Sequence, residues 1–201
     1  MMKKQVLYLT DNWIYFYNYK VEKKYKASLP KGIVKNGKIA DIEKFIIKYE
    51  TILKENHLNG SILGDKLLIL VHMKYTKADI ALLKSVFEKM NYRDIRVVYE
   101  DKFYDLNNDN VWINYNEGYL LLSYMNEASR IKSFLIEENF FDEEREMYEF
   151  IKRKVGVRDI YVIGNNKKID KFYKEFELLF KNNTYIFTDS ETYLLNHLIN
   201  D

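Results

Sequence analysis

The strongest constraint on this chain is an order of elements that occurs twice, once on each side of the turn-rich stretch DLNNDN at 105–110. Ahead of it, QVLYLT (5–10) reads as a strand, Asp11-Asn12 as a turn, IYFYNYKV as a second strand and Lys24 to Leu29 as a third. Aromatic and β-branched runs interrupted by Asp and Asn are the pattern of an antiparallel meander. After Pro30 comes IVKNGKIA (33–40), with Gly32 just before it and Gly37 within it, and from Asp41 the apolar period becomes helical. Ile42, Phe45, Ile46, Tyr49, Ile52 and Leu53 share one face, with Asp41 as N-cap and the helix expected to fade near Asn59-Gly60. KLLILVHM (66–73) is uninterrupted and apolar, as in a strand covered on both faces. Thr76 can open a second helix that turns Ile80, Leu83, Val86, Phe87 and Met90 inward, and IRVVYE (95–100) closes the series.

The same order then begins again. VWINYNEGYLLLSY (111–124) holds two β-type runs joined at Asn116-Glu117-Gly118, a hairpin pattern, and SRIKSFLIEE (129–138) supplies a third strand. A helix from Asp142 to about Lys154, the strand DIYVIG (159–164), a helix from Lys168 to Phe180, the strand TYIFT (184–188) and a terminal helix capped by Asp189 or Ser190 complete it. The expected fold is therefore α/β, with two tandem βββαβα(β) lobes: 1–104, a linker at 105–110, and 111–201. Residue-level identity between the halves is not obvious.

Composition narrows the function classes. A hydrophobic share of 47% over 201 residues can fill a core, which excludes a disordered chain. Lys and Arg number 32 against 30 acids, so the basic excess that nucleic-acid proteins carry is missing. The 18 Tyr and 12 Phe lie within apolar runs, where core packing accounts for them. With no cysteine, disulfides, thiolate catalysis and cysteine-ligated metals are excluded. The apolar run in MMKKQVLYLTDN is too short for a signal peptide, and no run approaches the roughly 20 residues that span a bilayer, so a cytoplasmic location is expected, with membrane association only through partners.

Two such lobes in tandem resemble the core architecture of the actin, Hsp70 and sugar-kinase superfamily. GIVKNGKIADIEKFIIKY resembles the approach to the first helix in bacterial actin-like proteins of the MreB rod-shape type, a register found also in FtsA division and PilM pilus-platform proteins. KLLILVHMKYTKADIALLKSVFEKMNYRDIRVVYED resembles their next strand, helix and strand, ending near a family glutamate at Glu100, and DIYVIGNN stands where the family places its strand and adenosine loop. The resemblance covers nearly the whole chain and rests on order and spacing rather than on an unbroken motif.

The resemblance implies a nucleotide between the lobes, held by the turns of the two opening hairpins, with an acid in each to organise metal or water. Here the family's asp-x-gly-thr run falls on Tyr8, Leu9, Thr10 and Asp11, or, shifted by one residue, makes Asp11 the surviving acid. Its second register, asp-x-gly-gly-gly-thr, falls on Asn114, Tyr115, Asn116, Glu117, Gly118 and Tyr119, so a carboxylate has become an amide and one glycine of three remains. Glu117 would place negative charge where phosphates sit, although phosphate sites need close backbone approach and neutral or positive surroundings. At the adenosine loop Gly164 survives, while Asn165 and Asn166 replace small residues. Length departs as well: eleven residues separate Leu29 from Asp41 and three separate Glu138 from Asp142, which leaves no room for the inserted subdomains of full-sized relatives.

Other chemistry is set aside. His57, His72 and His197 lack metal-ligand spacing, and His72 in an apolar strand reads as a buried histidine with its bonds satisfied. The acids of FDEEREMYEF (141–150) suit a helix N-terminus and lack calcium-loop spacing. KNNT at 181–184 fits a glycosylation sequon that a cytoplasmic protein would not use. The basic and aromatic helix in NKKIDKFYKEFELLFKN repeats Ile169, Phe172, Phe176 and Leu179 at core spacing.

The expectation is a non-catalytic actin-like protein, a pseudo-ATPase with no cofactor and no metal, serving as a cytoplasmic protein–protein scaffold in a bacterial cell-shape, division or pilus-type assembly. Its expected partners are other proteins, such as a filament-forming relative or a membrane-protein tail, with no nucleic acid and no direct membrane insertion; monomer or dimer is the expected state. The alternative is a divergent ATPase or small kinase that uses ATP and Mg, with Asp11, Asn114 and Glu117 around the metal and Gly118 and Gly164 admitting the nucleotide. A small module that binds peptides along an exposed sheet edge is a third reading.

Overall fold

The computed structural model describes residues 4–19, 22–57, 66–107, 109–137, 139–141, 144–156, 158–164, 174, 184–187 and 194. They fall into two compact units that divide between Glu100 and Asp101, just ahead of DLNNDN.

In the first unit, β1 (Lys4–Leu9), β2 (Trp13–Asn18) and β3 (Lys23–Ser28) form the antiparallel meander. A two-stranded hairpin, β4 (Val34–Lys35) and β5 (Lys38–Ile39), leads to α1 (Ile42–Glu55), β6 (Lys66–Val71), α2 (Lys77–Lys89) and β7 (Asp94–Tyr99). The sheet order is β3-β2-β1-β6-β7, with β6 parallel to both β1 and β7. Parallel neighbours require a crossover, and α1 and α2 supply it.

Both helices bury the expected stripes. Phe45, Tyr49, Ile52 and Leu53 of α1 and Leu83, Val86 and Phe87 of α2 pack over Leu7, Phe16, Leu67 and Ile69 of the sheet. Asp41 caps α1 by accepting the Lys44 amide at 3.0 Å, and Thr76 with Asp79 forms a capping box on α2. The first helix ends at Glu55, short of the expected Asn59-Gly60, with Asn56 as C-cap and its side-chain amide bonded to the Ile52 carbonyl at 2.7 Å. β6 is buried on both faces, as its continuous apolar run implied.

The second unit repeats the plan. β8 (Asn110–Asn116), β9 (Tyr119–Met125) and β10 (Ile131–Glu137) make a meander, α3 (Glu144–Val155) follows, then β11 (Asp159–Gly164) and β12 (Thr184–Phe187). The order β10-β9-β8-β11-β12 is that of the first sheet, with β11 parallel to β8 and β12. Asn110, placed in the linker by sequence, begins β8. Val111, Ile113, Leu120, Leu122, Ile151, Ile160 and Val162 centre its core. The expected helices over 168–180 and beyond Asp189 lie outside the described residues, apart from single helical positions at Lys174 and Leu194.

Candidate functional site

The first opening turn, between β1 and β2, carries Thr10 and Asp11. Thr10 is buried, and its amide donates to the Trp13 carbonyl at 2.9 Å. Tyr8, which stands at the first position of the expected acid-containing register, is buried and stacks on Tyr15 with ring centroids 6.1 Å apart. Asp11 turns its carboxylate toward another part of the unit: Oδ1 accepts the Gly37 amide at 2.7 Å.

Gly37 belongs to the tip of the β4–β5 hairpin, where Asn36 and Gly37 have φ of 53° and 71°. Two successive positive-φ residues in a two-residue connection define a type I′ turn, and Asn-Gly is the dipeptide that adopts it most readily. The tip is held from a third side by the segment after β6. The Tyr75 hydroxyl donates to the Gly37 carbonyl, and His72 Nε2 lies 2.8 Å from the Asn36 carbonyl oxygen. His72 Nδ1 accepts the Lys74 amide at 3.1 Å, so Nε2 must carry the proton and donate.

Burial lowers the His72 pKa to about 4, against the bond to Asn36 that favours the charged form, so the ring is neutral near pH 7. Burial likewise pushes the Tyr75 phenol far above its ordinary value. Lys38 Nζ completes the clasp with an ion pair to Asp79 Oδ2 at 2.7 Å. Burial alone would raise the Asp79 pKa, but the bonds from Lys38 and Thr76 outweigh it and hold the carboxyl below its usual range.

In the second unit, Asn114 and Asn116 lie on β8, both buried, with Asn116 Nδ2 donating to Asn114 Oδ1 at 3.0 Å. Residues two apart on a strand point to one face, which is what lets these amides meet. Glu117 and Gly118 form the β8–β9 turn, with Gly118 at φ 95°, and Glu117 is partly exposed. Gly164 ends β11 opposite Tyr115 of β8. The structure thus gathers Asn114, Asn116, Glu117, Gly118 and Gly164 around one end of β8, while Thr10 and Asp11 belong to the other unit. Asn165 and Asn166 lie outside the described residues. Among the described residues, no group of three or more His, Asp or Glu side chains is placed to hold a metal ion.

No family model matches the sequence, and no curated protein matches it. Solved structures do. The ethanolamine utilization protein EutJ from Carboxydothermus hydrogenoformans aligns with a TM-score of 0.67 at 14% identity, over 96% of this chain and 88% of that one. MreB5 of Spiroplasma citri bound to AMPPNP aligns at 0.62 and 14% identity, over 99% and 95%. A Bacteroides thetaiotaomicron protein of actin-like ATPase fold aligns at 0.63 and 10% identity, over 100% and 96%.

The chain has the actin-like fold. In this actin-like chain, sequence reasoning found the hairpin turns but missed the clasp around Gly37. The Asn36-Gly37 dipeptide was the available signal, since it marks a hairpin on its own; nothing in the sequence tied that hairpin to Asp11, His72 and Tyr75. His72 matches its reading, buried with both ring nitrogens bonded.

Proposed function

We propose that this actin-like protein does no nucleotide chemistry and acts by binding other proteins, as a cytoplasmic scaffold component in a bacterial cell-shape, division or pilus-type assembly. The observation that carries the reading is the bond from the Gly37 amide to the Asp11 carboxylate. The one acid left in the first turn is engaged in holding its own unit together, where a working site would leave it to metal or water. In the second unit, the position of the register's first acid is held by Asn114, whose Oδ1 accepts from the Asn116 side-chain amide instead. An amide cannot supply the charge that a phosphate-bound magnesium ion needs.

The competing reading is a divergent ATPase, favoured by the likeness in fold to an MreB5 bound to AMPPNP. Titration calorimetry with Mg-ATP separates the two. The scaffold reading expects no heat of binding and no thermal shift; micromolar binding that disappears in Gly118→Val would overturn it.

A further inference from the structure

The second unit carries an aromatic strip that runs from β9 across the outer strand, β10, and α3 to the segment after β10. Phe140, Phe141, Phe150, Phe134 and Tyr124 follow one another ring to ring, with successive centroids 4.9, 5.6, 6.3 and 6.1 Å apart. Phe140, at one end, is 70% exposed, and the next three members and Tyr124 are only partly buried against the core. Beside the strip, Phe141 lines a shallow groove of about 390 Å3 together with Arg145, Glu146, Glu149 and Arg153.

Cations sit over these rings. Lys154 Nζ is 5.0 Å from the Phe134 centroid and 5.6 Å from that of Phe150, and the Arg158 guanidinium is 5.1 Å from Tyr124. Among the described residues, neither Lys154 nor Arg158 reaches a carboxylate; one Arg158 Nη is shut from solvent with no acceptor. In the first unit, by contrast, Lys38, Lys44 and Lys66 each pair with an aspartate. A cation held over a ring face retains most of its capacity to attract an anion.

The strand beneath the strip is the third element of the argument. β10 is the outermost strand of its sheet among the described residues, so one row of its backbone amides and carbonyls faces away from β9. Lys132, Phe134 and Ile136 share the face on which α3 packs, since Phe134 and Ile136 join that core.

We infer that the β10 edge and its aromatic-cationic strip dock an extended acidic segment of another protein by strand addition. Backbone hydrogen bonds to β10 supply the register. Side chains of the added strand alternate between faces, so carboxylates on the α3 side meet Lys132 and Lys154 while an apolar neighbour two residues on lies against Phe134. A second copy of β10 is a poorer match, because β10 itself would bring only one acid, Glu137, to Lys132 and Lys154. The inference rests on the protein-binding reading and gives it a surface and a partner chemistry.

The test uses the full chain and a fluorescein-labelled peptide of alternating glutamate and valine with one phenylalanine, followed by anisotropy. Binding is expected, weakened at least about tenfold by Lys154→Glu and by N-methylation of alternate amides of the peptide, a change that leaves the protein untouched. Absence of binding, or binding indifferent to both changes, overturns the inference. So does sedimentation that shows self-association lost in Lys132→Glu, or attachment to phosphatidylcholine–phosphatidylglycerol vesicles with the peptide ignored. If the peptide fails while Mg-ATP is also ignored, the docking surface falls and the non-catalytic reading stands; if Mg-ATP binds, that reading falls whatever the peptide does.

Discussion

Asp11 Oδ1 lies 2.7 Å from the Gly37 amide nitrogen, across 26 residues of sequence. A charged acceptor on a backbone donor is among the stronger protein hydrogen bonds, and its loss strands a partly buried N–H. Asp11→Ala should cost about 1–3 kcal/mol in urea denaturation, and Asp11→Asn clearly less, because the amide oxygen can still accept. Equal stability for Asp11→Ala and the parent would show that the turn and the hairpin are not joined in solution.

The hairpin tip makes a second prediction. Gly37 sits at φ 71°, where a β-carbon is strained. Gly37→Ala should destabilise the chain by about 1 kcal/mol, whereas Asn36→Gly, at φ 53°, should be close to neutral. Equal effects at the two positions in paired thermal melts would contradict a type I′ turn.

His72 should make the first unit sensitive to acid. Its pKa falls from 6.5 to about 4 on folding, with Lys38, Lys74 and Asp79 as the charges around it. The unfolded chain therefore takes up a proton at a pH where the folded ring refuses it. The associated stability is fully present above the unfolded value and is lost as pH drops toward 4, a total of about 3 kcal/mol. Unfolding free energies from denaturant melts measured from neutral pH down to about pH 5 should fall accordingly, by about 2 kcal/mol. The slope should flatten in His72→Phe, even though that variant starts lower; an unchanged slope would count against the assignment.

A buried hydroxyl chain links α1 to β1. Tyr49 and Tyr92 oxygens are 2.8 Å apart, and Tyr92 donates to Gln5 Oε1 at 3.2 Å. Burial pushes the Tyr49 phenol up to about 12, the Tyr92 bond opposing it. A phenol raised above its unfolded value resists ionisation, so the linked stability is present below pH 10 and declines above it. Tyr92→Phe should cost about 1–2 kcal/mol by leaving both neighbours short of a partner. Ultraviolet titration should show one fewer late-ionising tyrosine in Tyr49→Phe than in the parent.

The elements most legible in the sequence were those whose period matched their burial. DIYVIG is β11 residue for residue, because a short apolar run bounded by Arg-Asp and Gly-Asn has few other outcomes. α2 was legible from Thr76 and its stripe. The end of α1 was not: Asn56 terminates it through a local side-chain bond that no periodicity reveals. The site divided in the same way. The turns holding Asp11 and Gly118 could be read because turn residues announce themselves, but what Asp11 holds could not. A hydrogen bond between positions 26 apart depends on where two hairpins meet in space, and sequence spacing carries no trace of it.

Asp79 has three tasks at once. Its Oδ2 accepts the Thr76 amide at 2.7 Å and the Thr76 hydroxyl at 2.8 Å, and it pairs with Lys38 at 2.7 Å. The same carboxylate that starts α2 therefore also tethers the β4–β5 hairpin. A single oxygen is the pivot of a mechanical linkage: a pull that unwinds the first turn of α2 must also loosen the hairpin. Force applied to either element is shared by both, so the hairpin is protected by the helix's own reluctance to unwind.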